Sequence, residues 1–252
     1  MFIRSKIIRN LSIIVSIMTI IGTFVTVSFA QQQKDNNSTI KIFVEYKLAK
    51  EGILKNRNVN VMVSNDTITL SGSVPTIYQM KQAEKLAQGV EGSYKVVNEL
   101  KVSSAYIPDG QLAREVMKKI ASHIFYSVFD WVHVSASNGV VTLKGWVHVP
   151  WHATEFVSQA ERVEGVKKVV NDLKNAMGSE YLQYRCARLI YDDPFFVGYA
   201  FEPNPPIHII VNMSTVILKG KVNSESLKDY IGNQIRFHTD AFDVINDLEV
   251  SK

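Results

Sequence analysis

Residues 132–147 read VHVSASNGVVTLKGWV, and the pattern is written three times in the chain. It stands at 59–74 as VNVMVSNDTITLSGSV and at 207–222 as IHIIVNMSTVILKGKV. Val59, Val132 and Ile207 correspond, as do Leu70, Leu143 and Leu218, and Gly72, Gly145 and Gly220. A second segment follows each copy: VVNEL at 96–100, VVNDL at 169–173 and VINDL at 244–248. The interval from the glycine to the asparagine is 26 residues every time. A constant interval means that the element between them keeps one length, the mark of a repeated structural unit.

Within each copy, apolar and polar residues alternate, which predicts two half-buried strands. Asn65-Asp66 and Asn138-Gly139 lie between them and tolerate the positive φ of a tight hairpin. The repeated glycine fits a bulge or a close backbone approach. Met80, Ala83, Ala87 and Val90, matched by Ala153, Phe156, Ala160 and Val163, then carry helical spacing. Further helices are predicted around 39–50, 111–122 and 180–191. The expected fold is therefore α/β (α+β): three tandem small domains, each α-β-β-α-β, with a three-stranded mixed sheet and two helices on one face. A parallel crossover of this kind is right-handed.

The order α-β-β-α-β, the pattern V-x-V-x-x-x-N-G-x-V-T-L-x-G-x-V and the following V-x-x-V-V-N-x-L resemble the BON domain, a module of periplasmic and other envelope proteins. The resemblance covers 38–103, 109–176 and 179–252, and Ser137 to Gly145 carries it best. The third unit departs from it, having Met213-Ser214 at the turn and extra residues in an aromatic and proline-rich loop, 192–206. What the resemblance implies is association with a phospholipid membrane surface or with other envelope proteins, in envelope or osmotic stress protection. It attaches no catalytic residues and no cofactor.

The N-terminus reads as an address. Arg4, Lys6 and Arg9 precede an apolar run from Leu11 to Ala30, which ends in Ser28-Phe29-Ala30 before the polar stretch 31–37. This is the layout of a signal peptide over 1–30, cleaved after Ala30, with 31–37 as a polar spacer and the body in the periplasm. An uncleaved N-terminal helix anchoring the chain in the inner membrane is the alternative. Beyond residue 30 the chain holds 25 basic and 24 acidic residues. So neutral a body offers no electrostatic footprint for nucleic acid. The lone Cys186 excludes a disulfide framework and a multi-cysteine zinc site and is read as a buried small hydrophobe.

Catalytic motifs are missing: there is no Gly-x-Ser-x-Gly, P-loop or dinucleotide-binding glycine run. His148 and His152 have metal-ligand spacing, but Pro150 between them is expected to keep them off one helical face, so no metal is expected. His133 and His208 fall on the polar side of their strands and are read as solvated. The recurring Asn98, Asn171 and Asn246 are read as structural amides bonded to backbone. The candidate contact surface is aromatic. All three tryptophans fall in the second unit, and alternation puts Trp131, His133 and Trp146 on the open face of its sheet, with Trp151 at the adjoining corner. The expected function is that of a non-catalytic exported envelope protein touching membrane there. The alternative is a periplasmic adaptor or chaperone-like protein that binds envelope polypeptides through its sheet faces, with a docking loop holding Phe195, Phe196, Tyr199 and Phe201.

Overall fold

The structure is a computed structural model that describes residues 31–54, 58–92, 94–103, 105–196 and 205–251. The signal-peptide segment, Tyr199 and Phe201 lie outside the described residues. Helix α1 covers 31–50, so the stretch expected as a spacer is helical, though still polar and exposed. Then follow β1 (Val59–Ser64), β2 (Thr67–Val74), α2 (Ile77–Gln88) and β3 (Lys95–Val102). The second repeat is built from α3 (Asp109–Ala121), β4 (Trp131–Ser137), β5 (Val140–Val147), α4 (Pro150–Glu161) and β6 (Lys168–Asn175). The third has α5 (Glu180–Tyr191), β7 (Ile207–Asn212), β8 (Thr215–Val222), α6 (Glu225–His238) and β9 (Asp243–Val250). The chain divides into two compact units, one holding the first repeat and the other the second and third.

Each sheet has its strands in chain order, with the second strand central. The hairpins are antiparallel, and β5–β6 and β8–β9 pair in parallel. The register repeats with the sequence: Val59 faces Gly72, Val132 faces Gly145, and Ile207 faces Gly220. These glycines have φ of 112°, 136° and 120°, and a Cβ on each would collide with the carbonyl oxygen of Asn58, Trp131 or Pro206. That steric demand is why the residue recurs. Asn65, Asp66 and Asn138 hold the positive φ of the hairpin turns, and in the third repeat Met213 takes it instead.

Both helices of each repeat cover one face. In the first, Val44 and Leu48 of α1 and Ala83 and Ala87 of α2 pack on Val61, Ile68 and Leu70. In the second, Leu112, Val116 and Ile120 of α3 and Phe156 and Ala160 of α4 are buried with Val132, Val141, Leu143 and Val147. In the third, Leu182, Cys186 and Ile190 join Ile231 and Ile235 over Ile209, Val216 and Leu218. Each buried Val, Leu, Ile or Phe side chain among these contributes about 1.5–3 kcal/mol through burial. The recurring asparagine links strand to helix. Asn98 Nδ2 donates to the carbonyl of Met80 and Asn246 Nδ2 to that of Lys228, while the side-chain oxygens of Asn98, Asn171 and Asn246 accept from the backbone two residues on.

Candidate functional site: the corner of the second repeat

The turn from α3 to β4 and the corner from β5 to α4 converge at one end of the second repeat. Asp130 joins them. Its carboxylate is fully buried and accepts four hydrogen bonds: Oδ2 from the Ser127 amide (3.1 Å) and hydroxyl (2.9 Å), Oδ1 from the His148 amide (3.0 Å) and His152 Nδ1 (3.1 Å). His152 is buried, and its ring lies 5.8 Å from that of His148. Pro150 does keep these histidines off one helical face, as expected, yet the rings come together all the same. Pro150 opens α4, so His148 sits on the end of the strand and His152 in the first turn of the helix, and the bend between them folds one ring toward the other. Asp130, which no sequence motif marks, is the residue that draws them in.

Around this network stands a group of apolar rings. Phe125 meets Trp151 edge-on at 4.5 Å, Trp151 meets His152 at 4.5 Å, and His123 flanks Phe125 at 5.2 Å. His123 is itself held by Glu155 at 3.3 Å. Trp151 and Phe125 remain 48% and 39% exposed, and the neighbouring Ile124 is 86% exposed. These three residues form an apolar projection whose aromatic members are fixed from behind by polar partners. The sequence singled out Trp151 but missed Ile124 and Phe125, because they lie in an irregular turn without periodicity.

On the sheet's open face Trp131 pairs across the strands with Trp146, and His133 with Lys144. His133 is exposed as expected, and Lys174 of β6 lies over the Trp146 ring at 5.4 Å. Trp131 is half-buried because the third repeat adjoins it. His208 packs 5.3 Å from Trp131 and 5.6 Å from Tyr126, and the outer edge of β7 donates from the Ile209 amide to the Val128 carbonyl at 2.7 Å. His208 is therefore buried rather than solvated. Burial lowers its pKa to about 4, opposed only in part by the backbone of Asp130 and Ser127 and by the Asp130 charge. Strand pattern alone could not reveal this, since the cover comes from a preceding repeat.

The loop after α5 divides its aromatics. Phe196 is buried in the core of the third repeat, whereas Phe195 is exposed. Asp193 anchors the loop, accepting from the Phe195 amide at 2.9 Å and the Tyr230 hydroxyl at 2.6 Å. Along α5, Tyr181, Tyr184, Arg185, Arg188, Leu189 and Asp192 line an open groove of about 670 Å³.

Comparison with known proteins places these features in a family. The family profile described as "BON domain" matches residues 37–104 and 108–176. Over 147 residues the chain is 33% identical to osmotically-inducible protein Y of Escherichia coli, covering 55% of this chain and 72% of that one. It is 33% identical to the outer membrane lipoprotein DolP of Haemophilus influenzae, covering 55% and 74%, and 30% identical to a 21 kDa hemolysin of Actinobacillus pleuropneumoniae, covering 50% and 68%. The C-terminal domain of CdsD, a structural protein of the type III secretion system of Chlamydia trachomatis, aligns with 82% of the chain and 96% of its own length, at 11% identity and a TM-score of 0.25.

Proposed function

Because the chain belongs to the BON-domain family through its first two repeats, we propose that it is an exported, non-catalytic envelope protein that seats on phospholipid surfaces through the corner of the second repeat. The observation that carries this is the projection of Ile124, Phe125 and Trp151. Tryptophan and large aliphatic side chains gain by entering the headgroup boundary, and aromatic rings already fixed in place lose little entropy on doing so. Trp146, with Lys174 above it, extends the apolar and cationic surface across the sheet face. The third sheet, with the same strand order and glycine register as the other two, is read as a divergent third copy.

Export rests on the basic, apolar and small-residue layout of 1–30, with cleavage after Ala30 and release into the periplasm. Among the described residues no helix is long and apolar enough to cross a membrane. The name of the E. coli relative, an osmotically inducible protein, supports a role in osmotic or other envelope stress.

Co-sedimentation with vesicles of phosphatidylethanolamine and phosphatidylglycerol tests the proposal. Partition should fall at least about tenfold in the Ile124→Ser, Phe125→Ser double variant, the equivalent of 1.4 kcal/mol. With a body so nearly neutral, binding should change little between low and high salt. Equal partition of variant and parent would refute the proposed surface.

A second reading is favoured by the groove on α5. Tyrosine and arginine on one helix face are the residues that dominate protein contacts, and here they stand beside the exposed Phe195. This is the adaptor function, with an envelope polypeptide as partner. A Tyr184→Ala, Arg188→Ala variant that still binds vesicles but loses a captured polypeptide would separate the two.

A further inference from the structure

We propose that Asp130, His148 and His152 form a site for a divalent transition metal, with Zn²⁺ the ion their chemistry suits. One ligating atom of each residue lies within 4.8 Å of the other two. Two atoms that each bind one zinc at about 2 Å stand roughly 3 to 3.4 Å apart. His152 Nδ1 and Asp130 Oδ1 are already at 3.1 Å. Two imidazoles sharing such an ion have centroids roughly 5 to 6 Å apart, and those of His148 and His152 are separated by 5.8 Å.

A purely structural network explains most of this arrangement but leaves one atom over. Nδ1 of His148 is buried and has no hydrogen-bond partner among the described residues. A buried ring nitrogen without a partner is costly. An ion bound between the rings would use that nitrogen. His148 as a residue is only half-buried, so the site lies near the surface, and three protein ligands leave a fourth position for a water. Two imidazoles and a carboxylate form a nitrogen-rich donor set that suits Zn²⁺ or its neighbours rather than Mg²⁺ or Ca²⁺, which take oxygen ligands.

Binding replaces the hydrogen bond between His152 and Asp130. Asp130 is an acceptor, so the bond to His152 Nδ1 is made by that nitrogen's proton. If His152 ligates through Nδ1, the neutral ring carries its one proton on Nε2 instead, and the carboxylate turns the same lone pair to the metal. The bound ion then clamps the turn 127–130 to the start of α4. That turn carries Val128, whose carbonyl holds the edge of β7, so the ion also braces the third repeat against the second.

The test is titration of the purified, tag-free protein with Zn²⁺ by calorimetry and with Co²⁺ by visible absorption. The expected result is one ion per chain and ligand-field bands for Co²⁺. His148→Ala should raise the Zn²⁺ dissociation constant at least about tenfold while the metal-free protein keeps its circular dichroism. His133→Ala, on the exposed strand face, should bind as the parent does. Should His148→Ala fail to fold, His148→Phe keeps a ring without the nitrogen and should show the same loss. Absence of both Zn²⁺ heat and Co²⁺ bands at micromolar protein overturns the proposal, as does unchanged affinity in a folded His148 variant.

Discussion

The imidazole of His208 packs 5.3 Å from the indole of Trp131, so a residue that repeat symmetry assigns to water is enclosed by the preceding repeat. The contact accompanies the bond from Ile209 to Val128, which closes the outer edge of β7. An uncovered edge strand invites pairing with other chains, and here a turn of the neighbouring repeat caps it. The second and third repeats should therefore unfold together. Replacing His208 by Ala removes a buried ring and opens a void beside Trp131, at a cost of about 1–3 kcal/mol. Urea denaturation followed by tryptophan emission checks this. A single transition, shifted to lower urea and starting from a redder native emission, is the expected outcome.

Cys186 supplies a pH prediction. Its thiol is fully enclosed, and burial raises its pKa to about 12, with the Asp240 charge adding and Arg185 opposing. The folded value lies above the unfolded one of 9.0, so the fold favours the protonated thiol. Its contribution to stability is complete below pH 9 and is lost at roughly 1.4 kcal/mol per pH unit as pH rises toward 12. At pH 8.5 the native protein should resist iodoacetamide, because the thiolate is the nucleophile and almost none is present. In 8 M urea, about the usual limit for full unfolding, alkylation should go to completion. Mass spectrometry distinguishes the two states, and rapid native labelling would contradict the burial.

How much of this was legible in the sequence depends on the range of the interactions involved. The strands, hairpin turns and helix order follow from alternation, turn dipeptides and helical spacing, all set within one repeat. The glycine at 72, 145 and 220 was legible as a close backbone approach because its cause, a carbonyl on the paired strand, recurs with the register. The asparagines were legible for the same reason. His208 was misread, and the meeting of His148 with His152 was missed, because their surroundings come from elsewhere: Tyr126 and Trp131 cover the first, and Asp130 gathers the other two. Ile124 and Phe125 were missed because nothing periodic marks an irregular turn.

The two adjacent phenylalanines of the third repeat should behave oppositely. Phe196 is among the most buried residues of its core, and Phe196→Ala should cost about 3–5 kcal/mol. Phe195 is 78% exposed, so Phe195→Ala should change stability by no more than about 0.5 kcal/mol. Thermal melts of the two single variants decide the matter. Equal losses would mean that the loop covers the core with both rings.

Asn246 joins β9 to α6 by donating to the Lys228 carbonyl at 2.7 Å and accepting from the Leu248 amide at 3.4 Å. It also lies against Gly232, where a Cβ would meet its amide nitrogen. Asn246→Ala removes both bonds between strand and helix backbone and this side chain and should cost about 1–3 kcal/mol. Asn246→Asp keeps the acceptor but loses the donor, so it should not restore the parent's melting temperature. A melt in which the aspartate variant matches the parent would show that the bond to Lys228 contributes nothing.

The three tryptophans occupy different surroundings, and this separates membrane contact from packing between repeats. Trp131 lies against His208, Trp146 under Lys174, and Trp151 is the most exposed of the three, beside Phe125. A tryptophan entering the headgroup region moves from water to a less polar medium, so its emission shifts to the blue. If the corner is the contact, the shift on adding phospholipid vesicles comes chiefly from Trp151. Trp151→Phe should then remove most of it while leaving the ring contacts largely filled and the fold intact. Trp131→Phe should retain it, since that indole is already half-covered. Trp146→Ser is the informative third variant: loss of the shift there would move the contact onto the open sheet face, and its persistence would confine it to the corner. If all three variants keep the parent's shift, no single tryptophan reports the contact; if the parent shows none, the corner does not enter the membrane.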